Sequence, residues 1–365
     1  MERPELDIVV LGATGFTGVK VVKCLSEAVG LRWGIAGRSK DKLGKLIMDL
    51  HNTGNWVNSG CFKNKSRYPH YINAPIAGLD VSKVPVFNVD VNNKDALRKT
   101  TSQAKILMNC VGPSTIFSEQ IVEACIESKT HYVDISAEIN HILDLYRKYQ
   151  RAAEDANVLI IPSCGFASVP AASGLLYLDG QFEVGLRSLN ISGTLNTVEC
   201  YVELDFPKRA YFPWPGNCLV HYGTWESLVY VLRNMKEKFF HRNNGKLWYP
   251  YPGPDEDVIE FSERYLHKNQ NKRPVSFKLY TTMPLLIHFI IIPLMFMYYY
   301  LCYFKCFSKL LRKYPRFFTA GYMSHKGPSE KMMQAVTYSF TLIGKGWSSN
   351  VEDFSVPTNK TLKCK

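Results

Sequence analysis

Gly12, Gly15 and Gly18 recur at every third position within Asp7-Ile-Val-Val-Leu-Gly-Ala-Thr-Gly-Phe-Thr-Gly18. The apolar run before them has strand character, and Val19-Lys-Val-Val-Lys-Cys-Leu25 after them reads as a helix. A strand, a glycine turn and a helix in that order suit a pyrophosphate. Glycine tolerates the positive φ of a tight turn and, lacking Cβ, lets backbone N–H groups approach phosphate oxygens. The helix N-terminus adds unpaired donors and partial positive charge. The spacing is G-x-x-G-x-x-G, so the G-x-G-x-x-G fingerprint is met only in part, and glycines in such a turn also serve packing alone. The candidate phosphate cradle is Gly12, Ala13, Thr14, Gly15, Phe16, Thr17 and Gly18.

The next strand says which nucleotide. About 20 residues beyond such a turn, an NAD-preferring site places a carboxylate on the ribose hydroxyls. Here the strand Trp33–Gly37 ends in Arg38 and Ser39, with Lys40 and Lys42 close behind. A carboxylate would repel a 2′-phosphate, whereas a guanidinium binds one bidentately. NADP is therefore the expected cofactor and NAD the alternative. Against this stands the plain reading of Arg38 as a surface charge and Ser39 as a helix N-cap.

Two further loops follow strands: Met108-Asn-Cys-Val-Gly-Pro-Ser114 and Pro162-Ser-Cys-Gly-Phe-Ala-Ser-Val-Pro170, with the acidic loop Asp134-Ile-Ser-Ala-Glu138 between them. Ligands bind outside the carboxyl ends of strands in doubly wound sheets. Asn109, Val111, Gly112 and Pro113 thus join the candidate cofactor residues, near a nicotinamide ribose. Chain-turning and a helix cap at Ser136 are the bland alternatives. No catalytic proton donor stands out, and no His/Cys spacing suits a metal.

The elements that must position these residues alternate as a doubly wound α/β sheet requires. Strands are predicted at Val84–Val89, Lys105–Val111, His131–Ile135 and Val158–Ile161. Helices are predicted at Lys94–Ser102, Phe117–Ser128 and Glu138–Asn157, and a polar insertion runs from His51 to Lys83. Beyond about residue 180, longer strands such as Arg187–Leu195 and Glu199–Phe206 mark a second domain. The expected division is 1–178, 179–348 and a C-terminal segment 349–365. The net charge of +12 comes with no nucleic-acid motif, so a membrane surface is the better explanation. Ten scattered cysteines read as reduced thiols, and with the N-terminus running straight into a strand no signal peptide is expected.

Part of the charge flanks an apolar stretch, Leu279–Phe304, which contains no Asp, Glu, Lys or Arg. A straight helix of that length would measure roughly 39 Å, enough to span a bilayer. Pro293 would kink it, and basic residues on both sides place both ends on the cytosolic face. A hairpin or re-entrant membrane anchor is preferred over a buried core helix.

Taken together, Gly12–Gly18, Ala36-Gly-Arg-Ser39, Asn109-Cys-Val-Gly-Pro113, Tyr132-Val-Asp-Ile-Ser136 and Cys164-Gly-Phe166 resemble the saccharopine dehydrogenase-like oxidoreductases. These are relatives of saccharopine dehydrogenase and the trans-acting enoyl reductases. His221–Glu226 and Gly321–Lys326 fit the same family's second domain. The resemblance implies an N-terminal Rossmann domain, an α+β second domain and NAD(P)-linked redox chemistry. It also implies a location at lipid droplets or the cytosolic face of membranes, with the mitochondrion as an alternative. Expected partners are a small-molecule or lipid substrate, a lipid-droplet or membrane surface and, as an option, a second copy in a homo-oligomer; nucleic acid is not among them. The chain departs from the family pattern at Ser114, where a Tyr is usual, at Ser118, at Ala137 and Ile139 of the acidic loop, and at Ala167, where an Asp is usual. It also ends soon after Gly344-Lys-Gly-Trp347, where the pattern continues. The lost Tyr and Asp open the alternative of a catalytically degenerate dinucleotide-binding droplet protein.

Overall fold

The computed structural model describes residues 5–28, 30–52, 83–166, 168–184, 193–207, 218–225, 229, 241–243, 246–251, 253–282, 297–298, 300–301, 304–349 and 355–365. They fall into two compact units. One comprises 1–136 with 140–164, the other 137–139 with 165–365.

The first unit is a parallel sheet of β1 (Leu6–Leu11), β2 (Trp33–Gly37), β3 (Val86–Asn88), β4 (Ala104–Asn109), β5 (His131–Asp134) and β6 (Ile160–Ile161), in the order β3-β2-β1-β4-β5-β6. This is the doubly wound order of a dinucleotide-binding domain. Its central strand shows why. Val9, Val10 and Leu11 are all fully buried, since successive side chains enter opposite faces and each face is covered by helices. Val9 and Leu11 join Leu97, Ile121, Val122 and Leu145, from α3 (Lys94–Thr101), α4 (Ser114–Glu127) and α5 (Ile139–Ala156). Val10 joins Val22, Leu25 and Leu43, from α1 (Phe16–Ser26) and α2 (Lys40–Asn52). Each predicted strand and helix of this unit is present, with ends shifted by up to three residues. The predicted insertion from His51 to Lys83 lies almost wholly outside the described residues.

The second unit is a mixed sheet. It contains β7 (Thr194–Asp205), β9 (His241–Asn243), β10 (Lys246–Pro250), β11 (Ser276–Thr282), β13 (Thr337–Trp347) and β14 (Lys360–Cys364), ordered β14-β13-β7-β11-β10-β9. In this sheet β7 and β11 pair parallel, and the other described pairs are antiparallel. Helices α6 (Ser168–Val184) and α7 (Asp255–Gln270) cover the sheet through Ala171, Leu175, Leu178, Phe182 and Ile259, which pack on Val198, Cys200, Phe277, Leu279 and Leu342. A short parallel pair, β8 (Val220–His221) with β12 (Met323–Ser324), joins the two stretches that had fitted the family's second domain.

Five expectations change. Helix α6 begins within the range assigned to the first domain, yet its buried residues belong to the second sheet's core. The C-terminal segment is not separate: Lys360–Cys364 is an edge strand paired with β13. Of the strand expected at Arg187–Leu195, only Thr194 and Leu195 are seen in a strand, as the start of β7; residues 187–192 lie outside the described residues.

The fourth concerns the apolar stretch. Its first residues, Leu279–Thr282, are not anchor but the end of β11. Leu279 is buried, and Thr281 donates its hydroxyl to Val202 O at 3.2 Å. Among the described residues no helix is long and apolar enough to cross a membrane. Residues 283–296, the centre of the proposed hairpin, lie outside them. Seven described cysteines are free thiols, but Cys24 is disulfide-bonded, a departure from the reading of all ten as reduced.

Candidate functional site

The glycine turn links β1 to α1 and leans on β2, whose Ala36 O accepts the N–H groups of Gly12 at 2.9 Å and Ala13 at 3.2 Å. The three glycines have different reasons to be glycine. Gly12 has φ +79°, and a Cβ there would lie 2.9 Å from the Cys110 carbonyl carbon. At Gly18, a Cβ would lie 2.2 Å from Gly12 O and 2.8 Å from the Ala13 Cα, so the helix sits directly on the turn. Gly15 is different. It is exposed, has ordinary extended φ and ψ as the N-cap of α1, and a Cβ would come no closer than 3.2 Å to any neighbour. The fold demands Gly12 and Gly18; at Gly15 the missing Cβ leaves open the outward side of the helix N-terminus.

That open side fits a pyrophosphate. The first turn of an α-helix leaves N–H groups without intrahelical partners and carries partial positive charge. No carboxylate occupies the first turn of α1. Ala13 is buried, while Thr14, Phe16 and Thr17 are half-buried around the exposed Gly15.

Arg38 follows β2 directly, two residues past the carbonyl that holds the turn, and its side chain is exposed. Among the described residues its guanidinium makes no hydrogen bond or ion pair. Its backbone is held instead: the Asn88 amide, oriented to donate, reaches Arg38 O at 2.9 Å and Gly37 O at 3.2 Å. Ser39 caps α2, its Oγ accepting the Lys42 N–H at 3.4 Å. The cap reading of Ser39 is therefore realised. Its hydroxyl can still serve a phosphate as donor, because a hydroxyl both donates and accepts.

The remaining candidates are gathered at the carboxyl ends of β4, β5 and β6 by a buried hydrogen-bond network. Asn109, 2% exposed, accepts the Val111 N–H on Oδ1 at 2.9 Å and donates Nδ2 to the Tyr132 hydroxyl at 3.0 Å. Tyr132 donates to Asp134 Oδ2 at 2.6 Å. The other carboxylate oxygen accepts the Ser136 N–H at 2.9 Å, the Ser136 hydroxyl at 2.7 Å and the Ser163 N–H at 2.9 Å. Backbone joins in, Cys164 N–H bonding to Asp134 O at 2.6 Å. Burial and the hydrogen bond to Asp134 hold the Tyr132 hydroxyl well above the ordinary phenol range, so it stays a protonated donor. Burial, helped by the Asp134 carboxylate, pushes the Cys110 thiol up to about 11, which leaves it no thiolate character at neutral pH. Gly112 is exposed and Pro113, on a cis peptide, forms the N-cap of α4.

The structure thus brings Asn109–Pro113 together with the acidic loop and with Ser163 and Cys164, as shared strand-end positions suggested. It removes the alternative in which Ser136 caps a helix. Helix α5 begins only at Ile139, and Ser136 turns the loop back onto Asp134 instead of capping a helix. Ala167 lies outside the described residues. Asp134 and Tyr132 were within quoted motifs but carried no role, because their partners are far away in sequence. A second pair escaped notice for the same reason. Buried Ser118 donates to Ser114 O at 2.7 Å, and its hydroxyl also shares a hydrogen bond with His141 Nε2. Among the described residues no group of His, Cys, Asp or Glu could hold a metal ion.

Comparison with known proteins adds to this geometry. Residues 8–161 match the family model described as the saccharopine dehydrogenase NADP binding domain. The chain is 29% identical over 382 residues to a saccharopine dehydrogenase-like oxidoreductase of Mus musculus, covering 95% of this chain and 80% of that protein. It is 25% identical over 378 residues to the lipid droplet localized protein of Caenorhabditis elegans, covering 94% and 80%. Among solved structures, apo saccharopine dehydrogenase (L-Glu forming) from Saccharomyces cerevisiae aligns with a TM-score of 0.50 at 12% identity, covering 98% of this chain and 85% of that one. At that identity the likeness speaks to fold alone.

Proposed function

We propose that this chain, which is similar to saccharopine dehydrogenase-like oxidoreductases over 95% of its length and matches their NADP binding domain at residues 8–161, is an NADP-dependent oxidoreductase. It works at a lipid-droplet or membrane surface, on a lipid-like substrate or a small carbonyl, imine or enoyl compound. The observation that carries the cofactor choice is Arg38, an exposed guanidinium at the end of β2 that is unpaired among the described residues, with no carboxylate at Arg38–Lys40. Gly12–Gly18 would take the pyrophosphate, Arg38 and Ser39 the 2′-phosphate, and Asn109–Pro113 the nicotinamide side. When bound, the dinucleotide supplies or accepts the hydride; the chain's part is to orient it and exclude water. The Asp134 network serves orientation, since it fixes three strand-end loops in one arrangement. The lipid setting draws on the C. elegans relative's name and on the uncharged sequence 283–296.

Arg38→Ala tests the cofactor assignment. Loss of a charge-assisted, bidentate contact costs roughly 1.5–3 kcal/mol, or about 10- to 150-fold in affinity. NADPH binding should fall by that factor while NADH binding barely changes, as read by fluorescence titration. An equal fall for both nucleotides would make Arg38 structural and remove the NADP assignment.

A second reading, a dinucleotide-binding droplet protein without turnover, draws support from Ser114. It stands where the family pattern has a tyrosine and is only 9% exposed, poorly placed to give a proton to substrate. Oxidation of NADPH over a library of lipid extracts separates the two. Turnover on any fraction retires the second reading, and cofactor binding without turnover retires the first.

A further inference from the structure

We propose that the outward face of Phe304–Phe317 is a peripheral docking surface for an anionic lipid layer. This rests on the reading of the chain as a lipid-surface protein and specifies which face meets the lipid. Between Glu263 and Glu330 the sequence has eleven lysines and arginines and no carboxylate, nearly the whole excess of +12. The charge is therefore not spread over the molecule but concentrated in one stretch.

Helix α8 (Lys305–Lys313) and the short turn α9 (Pro315–Phe318) carry five of the eleven, Lys305, Lys309, Arg312, Lys313 and Arg316, whereas Arg264, Lys272 and Lys278 pair with carboxylates on α6 and α7. The inner side of α8 and α9 is pinned. Leu311 is fully buried, packs with Trp225 and Tyr298, and accepts the Trp225 indole N–H on its carbonyl at 3.0 Å. Phe307 and Phe318 close the same cluster. With that side fixed, the opposite side faces outward. Lys305 and Lys309 form one exposed row at helical spacing, with Cys306 and Leu310 beside it; Tyr314 and Arg316, past the end of the helix, are exposed too. Phe317 is 81% exposed, Tyr300 67% and Phe304 61%.

Scattered exposed apolar side chains are ordinary, but aromatic residues grouped with cations are not. Among the described residues Lys305, Lys309, Lys313 and Arg316 have no carboxylate partner. Exposed apolar and aromatic side chains at the acyl boundary beside cations at headgroup phosphates are the chemistry of an interfacial helix. Its place in the sequence agrees, directly after the uncharged run that ends at Phe304.

The test is flotation of the purified full-length protein with phosphatidylcholine vesicles, with and without phosphatidylserine, beside NADPH titration of the same samples. Wild type should prefer the anionic vesicles, and salt should strip that preference. Each cation near the surface is worth about a fivefold change in partitioning. Lys305→Gln/Lys309→Gln/Arg316→Gln should thus lose the anionic preference by about 100-fold, and Leu310→Ser/Phe317→Ser should weaken binding to both vesicle types. Both variants should bind NADPH as wild type does, because the substituted side chains are exposed and outside the cofactor residues. Wild type binding both vesicles equally at all salt concentrations, or variants that float like wild type, would overturn this docking surface while leaving the lipid-surface reading in place. Wild type that floats with neither vesicle would overturn both.

Discussion

Gly15→Val is expected to leave a folded protein whose NADPH affinity has fallen by at least about a hundredfold. A valine side chain on the exposed tip of the turn would occupy the space a pyrophosphate needs against the α1 N-terminus. Two lost charge-assisted N–H contacts at roughly 1.5–3 kcal/mol each account for the size of the effect. Folding should survive, since the new Cβ meets nothing closer than Gly12 O at 3.2 Å, a contact relieved by a shift of a few tenths of an ångström. Gly18→Ala is the contrasting case. Its Cβ would be 2.2 Å from a backbone oxygen that cannot rotate away, so α1 must lift from the turn. The expected cost is stability, at the upper end of the ~1–3 kcal/mol typical of overpacking. Paired denaturation and titration curves check both. If Gly15→Val bound NADPH like wild type, the turn would be a packing device and not a phosphate cradle.

The other large effect belongs to Asp134→Ala. Removing the carboxylate strands four donors: the Tyr132 hydroxyl, the Ser136 N–H and hydroxyl, and the Ser163 N–H. Asp134 is 2% exposed, Ser136 and Ser163 6% each, so water does not readily replace it. Each buried unpaired donor costs about 1–3 kcal/mol; with the Ser136 hydroxyl free to rotate, the total should be roughly 3–6 kcal/mol. Asp134→Asn keeps one acceptor oxygen and should lose only about 1–3 kcal/mol. Urea denaturation gives both values. An alanine variant as stable as wild type would mean that the three strand-end loops hold their places without this network.

The sequence carried the local features well and the distant ones poorly. The glycine turn was readable because a positive φ at Gly12 and a close approach at Gly18 are demands made within a few residues. The first sheet was readable because buried parallel strands alternate with one-sided helices. Asp134 was not, since Asn109 reaches it through Tyr132, 23 residues away, and Ser163 is 29 residues away. The apolar stretch misled at its start for a physical reason. Hydropathy counts charges, and β11 loses its last charge at Lys278, so the strand end merged with the uncharged run after it. The alternation of buried Phe277, Leu279 and Thr281 with more exposed Lys278 and Tyr280 was the available signal. Helix α6 hid its allegiance because Leu175 and Leu178 are buried while Leu176 and Tyr177 between them are exposed, a pattern that says one face is covered but not by which sheet.

The central claim is that the α1 N-terminus and Arg38 form an NADP site, and a titration of the folded wild-type protein with NADPH and NADH tests it most directly. Saturable binding of both nucleotides, tighter for NADPH by about 10-fold or more, is the predicted result. A folded protein that responds to neither nucleotide would contradict the account.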